Sequence, residues 1–282
     1  MQRDTRAGAG PREARKRFGQ HFLEPAWVVK VLDAIAPRRD EDFVEIGPGR
    51  GALTLPLAAR ARQVVAFEID RDLSASLRAA APPGLTVVEG DFLDVSADRI
   101  RELLHATGFP AGPLRVAGNL PYNVASPILF RLTALASGSL PLSDATLMLQ
   151  REVADRLTAA PGTRTYGVLT ILIGRRARAE RLLTLPPGAF RPPPKVHSAL
   201  VRLRFHAPDP PALNEALLAT MVQAVFTRRR KTLGNALAAY APAVAFGPVL
   251  ALDQAGIDPR RRPETLDASE LVRLADVLAR GA

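Results

Sequence analysis

Along the 282-residue chain, apolar positions change period three times. Trp27, Val28, Val31, Leu32 and Ile35 follow a helical stripe behind Pro25, a residue suited to a first helical position. From Phe43 short apolar runs alternate with amphipathic ones, which predicts strands at 43–47, 64–69, 85–88, 114–118 and 145–149. Helices are expected between them, from about 51, from 71, near 98–106 and from Val124. This βαβα alternation builds a doubly wound parallel sheet. Residues 181–185 and 198–205 read as two more strands, joined by a proline-rich loop with no room for a crossover helix. They must pair antiparallel. From about 207 the periodicity is only helical, with Pro208, Pro210 and Pro211 marking a linker.

A parallel sheet that ends in an antiparallel hairpin departs from the dehydrogenase pattern and matches the sheet of class I methyltransferases. The fold expected is therefore α/β, a Rossmann-like class I methyltransferase sheet with a C-terminal antiparallel hairpin, followed by a small all-helical domain. The first 17 residues, rich in Arg, Gly and Ala without apolar period, read as a basic flexible arm. That divides the chain into 1–17, 18–206 and 207–282.

Candidate chemistry sits at the strand ends. Gly47-Pro48-Gly49-Arg50-Gly51 follows the first strand and opens a helix, so its glycines permit a tight turn and close approach of backbone to a ligand. Glu68 ends the second strand 19 residues after Gly49, where an acid accepts hydrogen bonds from ribose hydroxyls. After the third strand come Asp91, able to accept an adenine amine, and Phe92, able to stack on the base. Asp91 serves equally well as a turn cap.

Asn119-Leu120-Pro121-Tyr122 follows the fourth strand. An exocyclic adenine amine is a poor nucleophile because its lone pair is delocalised into the ring. The Asn119 side-chain carbonyl and a backbone carbonyl near Leu120, held by the rigid Pro121, can accept both amine protons and localise that pair. Tyr122 can stack on an extruded base. No general base is needed, since the proton becomes acidic only after transfer.

Charge points to a polyanion. The chain carries 38 basic and 28 acidic residues, a net +10. One basic patch lies in the arm, with Arg15, Lys16 and Arg17; the other is Arg228-Arg229-Arg230-Lys231, in a stretch without acids. Only Lys16, Lys30, Lys195 and Lys231 are lysines, which also fits a general arginine bias. On a helical wheel Arg229 shares the face of Val225, Phe226 and Leu233, so the helix is expected to break near Thr227 and present the arginines at a helix start. Without cysteine, disulfides and thiolate metal sites are excluded, and four scattered histidines make a zinc cluster unexpected. No apolar run of membrane-spanning length or secretory h-region occurs, so the expected compartment is the cytoplasm.

At these residues the chain resembles the bacterial 16S ribosomal-RNA adenine dimethyltransferases, the kasugamycin-sensitivity methylases. Matching stretches include 15–23, 45–49, 119–123, 149–154, Tyr166-Gly167, 190–196, 226–233 and 256–259, nearly the whole chain. The resemblance implies S-adenosyl-L-methionine as donor and two adjacent adenines in the 3'-terminal hairpin of 16S rRNA as acceptors, in an immature 30S subunit. It implies donor contacts at His21, Leu23, Gly47, Glu68, Asp91 and Asn119. Many relatives carry asparagine at the position of His21, which also reads as a surface histidine. Phe190 is placed by the family pattern to close the pocket on the target base, or it anchors the hairpin in the core. The chain is expected to act as a monomer with no protein partner. The alternatives are a 23S rRNA adenine methyltransferase conferring antibiotic resistance and a non-catalytic nucleic-acid-binding or ribosome-assembly factor on the same fold. Retention of Gly47, Glu68, Asp91 and Asn119 argues for chemistry. A dehydrogenase is disfavoured by the hairpin and by the Asn-Leu-Pro-Tyr sequence.

Overall fold

A computed structural model describes residues 21–105, 113–138, 140–240 and 247–281. The basic arm, with Arg15, Lys16 and Arg17, lies outside these residues. A two-residue strand β1 (Phe22–Leu23) leads into α1 (Pro25–Ile35), whose Pro25 supplies a preset φ and lacks an N–H that would go unpaired. Then β2 (Asp42–Ile46), α2 (Thr54–Ala58), β3 (Gln63–Glu68), α3 (Arg71–Ala79), β4 (Leu85–Glu89), α4 (Ala97–His105) and β5 (Leu114–Asn119) alternate. The helix expected from 51 is one short turn beginning at 54, because the residues before it form successive turns.

After α5 (Ala125–Ala136) and β6 (Leu142–Gln150) come α6 (Arg151–Leu157), α7 (Val168–Gly174), β7 (Ala177–Leu185), β8 (Phe190–Arg191) and β9 (Ser198–Phe205). The sheet order is β4-β3-β2-β5-β6-β9-β7, parallel from β4 to β6, with β9 antiparallel to both its neighbours. β8 pairs separately with β1, Phe190 opposite Leu23.

Strands β2 and β3 are buried along their whole length, as parallel strands covered on both faces must be. Alternation along them builds two cores. Val44, Ile46, Val65 and Phe67 point to the side of α4 and α5, while Phe43, Val64 and Ala66 point to α1, α2 and α3. A third core gathers α8 (Glu215–Thr227), α9 (Leu233–Ala238), α10 (Pro248–Gln254) and α11 (Ala268–Gly281). It also takes in Tyr166 and Ile171, and the Tyr166 hydroxyl donates to the Leu266 carbonyl at 2.8 Å.

Arginines serve as internal fasteners. Arg115, on β5, donates to the Ile35 carbonyl at the end of α1 (2.9 Å) and pairs with Glu41 (2.8 Å) and Asp144 (3.0 Å). A cation there satisfies carbonyls the helix cannot bond itself. Arg175, 2% exposed, follows α7 and joins this region to α8 through a two-pronged pair with Glu215, both contacts at 2.8 Å.

Arg175 holds the Glu215 carboxyl down to about 2. Because the folded-state value lies below the usual glutamate range, the pair's stabilisation is complete above pH about 5 and is lost as pH falls from about 4.5 towards 2. Glu215→Gln is expected to cost about 2 kcal/mol at pH 7, less than a fully buried pair because Glu215 remains partly in water. Urea unfolding at pH 7 and at pH 3 checks this: the gap between wild type and variant should narrow at the lower pH.

Candidate active site

The chain winds outward from β2 to β4 and returns to β5 on the other side of β2. Loops after β2 and β5 therefore diverge and open a crevice at the carboxyl edge of the sheet. A cavity of about 340 Å³ fills it, within the range of small-molecule sites. His21, Leu23, Gly47, Gly49, Glu68, Asp91, Phe92 and Asn119 line this one cavity, together with Leu120, Pro121 and Tyr122.

The glycine loop turns through Gly47 and Gly49 at φ of 70° and 59°, where a side chain is strained. A Cβ at Gly49 would also come within 3.2 Å of the Phe22 ring. Glu68, 4% exposed, accepts the Gly49 N–H at 2.8 Å on one oxygen and the Asp70 N–H at 2.9 Å on the other. Burial pushes its carboxyl above the usual range, against the opposite pull of those backbone bonds. Each oxygen keeps a lone pair for a ligand hydroxyl.

Asp91 lines the cavity and also accepts the Leu93 N–H at 2.9 Å, so it does cap the turn that follows. Phe92 is mostly core, with its ring edge-on to Phe67 at 5.8 Å.

Asn119 ends β5 with its side-chain Nδ2 donating to the His21 carbonyl at 2.7 Å. That bond fixes the amide, and among the described residues nothing donates to Oδ1. The Leu120 carbonyl is likewise without a donor among them, whereas the Pro121 carbonyl accepts the Val124 N–H at 3.1 Å. Two acceptors on consecutive residues are thus left without a donor among the described residues. Tyr122 stands next to them, its ring stacked on His21 with centroids 5.5 Å apart and its hydroxyl 2.9 Å from Ser198 Oγ. His21 Nδ1 lies 2.7 Å from the Pro192 carbonyl, to which it donates.

Phe190 is placed differently from the pocket-closing role considered for it. Its ring is 1% exposed, packed with Leu23, Val28 and Leu200, and is absent from the cavity wall. Pairing with β1 turns it inward, which leaves the anchoring role. Glu45, Phe22 and Ile69 also line the cavity. A charge among the apolar Phe43, Val44 and Ile46 of β2 was the available signal for Glu45. None marked Ile69.

A second cleft, of about 840 Å³, is lined by Glu152, Arg156, Arg164, Thr165, Arg229, Arg230 and Glu264. α8 does end at Thr227, but the basic run occupies the turn before α9 rather than a helix start. Arg228, Arg230 and Lys231 are exposed; Arg229 is partly buried in the cleft wall and donates to the Arg164 carbonyl at 3.1 Å.

A reversed strand next to the edge of an otherwise parallel sheet, and a cavity edged by a glycine loop and by the strand-end acids Glu68 and Asp91, define a class I methyltransferase. More particularly, the chain belongs to the ribosomal RNA adenine dimethylase family, whose model matches residues 12–279. Curated proteins similar to it include the ribosomal RNA small subunit methyltransferase A of Bordetella avium, 44% identical across 94% of this chain and 95% of that protein. The protein of the same name from Acinetobacter baylyi is 43% identical across 94% and 92%. Among solved structures, a Plasmodium falciparum dimethyladenosine transferase superposes with a TM-score of 0.71 over 90% of this chain and 96% of that one, at 24% identity, a likeness of fold. The 23S rRNA methyltransferase ErmE superposes with a TM-score of 0.62 at 28% identity, over 92% and 99%. The protein is accordingly an rRNA adenine methyltransferase, of a class that generally uses S-adenosylmethionine.

Tyr122 gives a sharp test of the site. Tyr122→Phe keeps the ring but leaves the buried Ser198 hydroxyl without its partner, at a cost of about 1 kcal/mol in stability. Methylation should fall only a few-fold. Tyr122→Ala removes the stacking surface, worth roughly 1 to 3 kcal/mol, and methylation should fall at least tenfold further. Melting curves and methyl-transfer rates for both variants check this; an alanine variant whose activity loss is fully recovered on cooling would assign the ring to packing alone.

Proposed function

We propose that the protein transfers methyl groups from S-adenosyl-L-methionine to N6 of two adjacent adenines in the 3'-terminal hairpin of 16S rRNA, acting as a cytoplasmic monomer on an immature 30S subunit. The observation that carries the adenine chemistry is the pair of free acceptors, Asn119 Oδ1 and the Leu120 carbonyl, next to the Tyr122 ring. The small-subunit choice is supported by 43–44% identity to small-subunit methyltransferases against 28% to the 23S enzyme.

The residues fit the donor. The cradle at Gly47 and Gly49 admits close backbone approach, Glu68 offers acceptors for ribose hydroxyls, and Asp91 keeps a free oxygen for the adenine amine. His21 and Leu23 close the other wall. When bound, S-adenosylmethionine supplies an electrophilic methyl on a sulfonium. Asn119 Oδ1 and the Leu120 carbonyl accept the two protons of the target amine and thereby direct its lone pair. Tyr122 holds the extruded base by its face. After transfer the amine proton is acidic enough to leave to water, so the site needs no dedicated base. Arg228, Arg230 and Lys231, with the arginine-lined cleft beside them, supply phosphate contacts.

Mass spectrometry of rRNA from a deletion strain, before and after complementation, tests subunit, nucleotide and methyl count together. Wild type should restore two dimethyladenines in 16S rRNA. Asn119→Ala should restore none, because losing one well-placed polar contact to the reacting group costs about 3 to 4 kcal/mol in the transition state. Methylation appearing in 23S rRNA would overturn the substrate assignment, and assembly rescue by Asn119→Ala would favour a non-catalytic role.

Replacing Arg228, Arg230 and Lys231 with alanine should weaken RNA binding and lower the slope of log K against log salt by somewhat under one unit per residue. Cofactor binding should persist. An unchanged slope would place the RNA path elsewhere.

A further inference from the structure

On the far side of α5 from the donor cavity lies a hollow that the reaction described so far does not use. Val124 and Ile128, at the start of α5, face the cavity. Ser126 and Phe130 line the hollow instead, because residues two apart on a helix point to opposite sides. Its volume is about 370 Å³. Phe130 and Phe226 supply apolar wall, and the Phe226 ring is held against Tyr166 with centroids 6.1 Å apart. The hydroxyls of Ser126 and Thr165 also line it, and among the described residues neither makes a hydrogen bond. Gly167 keeps the space open. Its backbone is extended, at φ of 179°, and a Cβ there would stand 3.8 Å from the Phe226 ring, so a side chain at this position would fill the hollow without straining the chain.

The mouth of the hollow is shared with the arginine-lined cleft, since Arg156, Arg164, Thr165 and Arg229 border both. Arg156 is paired with Glu152 at 2.6 Å, and Arg229 faces Glu264 at 3.9 Å. Arg164 and Arg230 have no acid partner among the described residues. An aromatic-walled chamber with hydroxyls inside and unpaired cations at its mouth matches one nucleotide, its base inward and its phosphate outward. We propose that the hollow is a second base-binding subsite, which takes an unpaired nucleotide a short way along the strand from the adenine in the reaction cavity. This rests on the RNA reading above and adds a specificity element to it. The two chambers stand one helix thickness apart, about 10 Å, a gap that a few nucleotides of unstacked strand bridge by crossing the exposed Asn123 and Pro127. A neighbour held there keeps the target adenine from slipping back into its stack. The enzyme therefore selects RNA in which the adenine has an unpaired neighbour.

A fluorescently labelled RNA hairpin with two adjacent adenines in its loop tests this by anisotropy, with the whole protein at low salt, where phosphate contacts are strongest. Removing the loop bases one at a time should reveal an abasic position, other than the two adenines, that weakens binding roughly tenfold, the order expected for one base lost from an aromatic contact. Gly167→Val, which fills the hollow, should weaken binding of the intact hairpin by a similar factor. On the hairpin abasic at that position the same substitution should have no further effect. Because no phosphate contact is lost, the slope of log K against log salt should stay that of wild type. A lowered slope would put a phosphate rather than a base in the hollow and overturn the proposal. Additive losses would overturn it too, as would a Gly167→Val protein that binds every hairpin like wild type. If Gly167→Val fails to fold, Ser126→Leu fills the same space from α5 and faces the same tests; a scan of wild type that finds no sensitive position beyond the adenines overturns the subsite by itself. Wild type that binds S-adenosylmethionine but not the intact hairpin would overturn the RNA reading, and the subsite with it.

Discussion

The two hydrogen bonds accepted by Glu68 organise the site. One carboxylate oxygen holds the Gly49 N–H and the other holds the Asp70 N–H, so the end of β3 fixes both the glycine loop after β2 and the entry to α3. That anchor acts together with the Gly47 N–H, which donates to the Phe67 carbonyl at 3.0 Å, to hold the loop against β3. Glu68 is thus structural and ligand-facing at once. Its burial is tolerated because both oxygens have charge-assisted backbone donors.

The same economy governs residues 119–122. The His21 carbonyl accepts a hydrogen from Asn119 Nδ2 and so fixes which way the amide lies. His21 is itself tied to the Pro192 carbonyl and stacked on Tyr122, whose hydroxyl is gripped by Ser198. Segments far apart in sequence, at 21, 119–122, 192 and 198, therefore determine the direction of one amide and the plane of one ring. Such cross-links rigidify a site before its substrate arrives.

Positive charge divides between two duties. Arg115, Arg175 and Arg202 are bonded to helix-end carbonyls, a loop carbonyl and partly exposed acids, which fasten α1 and α8 to the sheet region. They contribute to the net +10 but face no partner. Arg228, Arg230 and Lys231 are exposed, and Arg156 and Arg164 join Arg230 around the cleft. A charge total by itself does not separate these uses, because burial decides whether an arginine meets solvent or a carbonyl.

What the sequence by itself determined follows from local periodicity and motif spacing. The alternation of apolar runs from Phe43 was enough for the parallel sheet, and the lack of room between 185 and 198 forced the antiparallel return. Gly47, Glu68, Asp91 and Asn119 were legible because each follows a strand, and strand ends of a parallel sheet share one edge. Tertiary structure alone decided which way side chains with two plausible roles point. Phe190 goes to the core because β8 pairs with β1, a contact between residues far apart in the chain. Arg229 is partly buried in the cleft wall because the Arg164 carbonyl is within reach, and Asp91 caps a turn while facing the cavity. Glu45 belongs to the same group: its place in β2 is local, but only the packing around it shows a carboxyl buried at a cavity wall. Local sequence sets where a residue stands along its strand; the elements packed against it decide what its side chain meets.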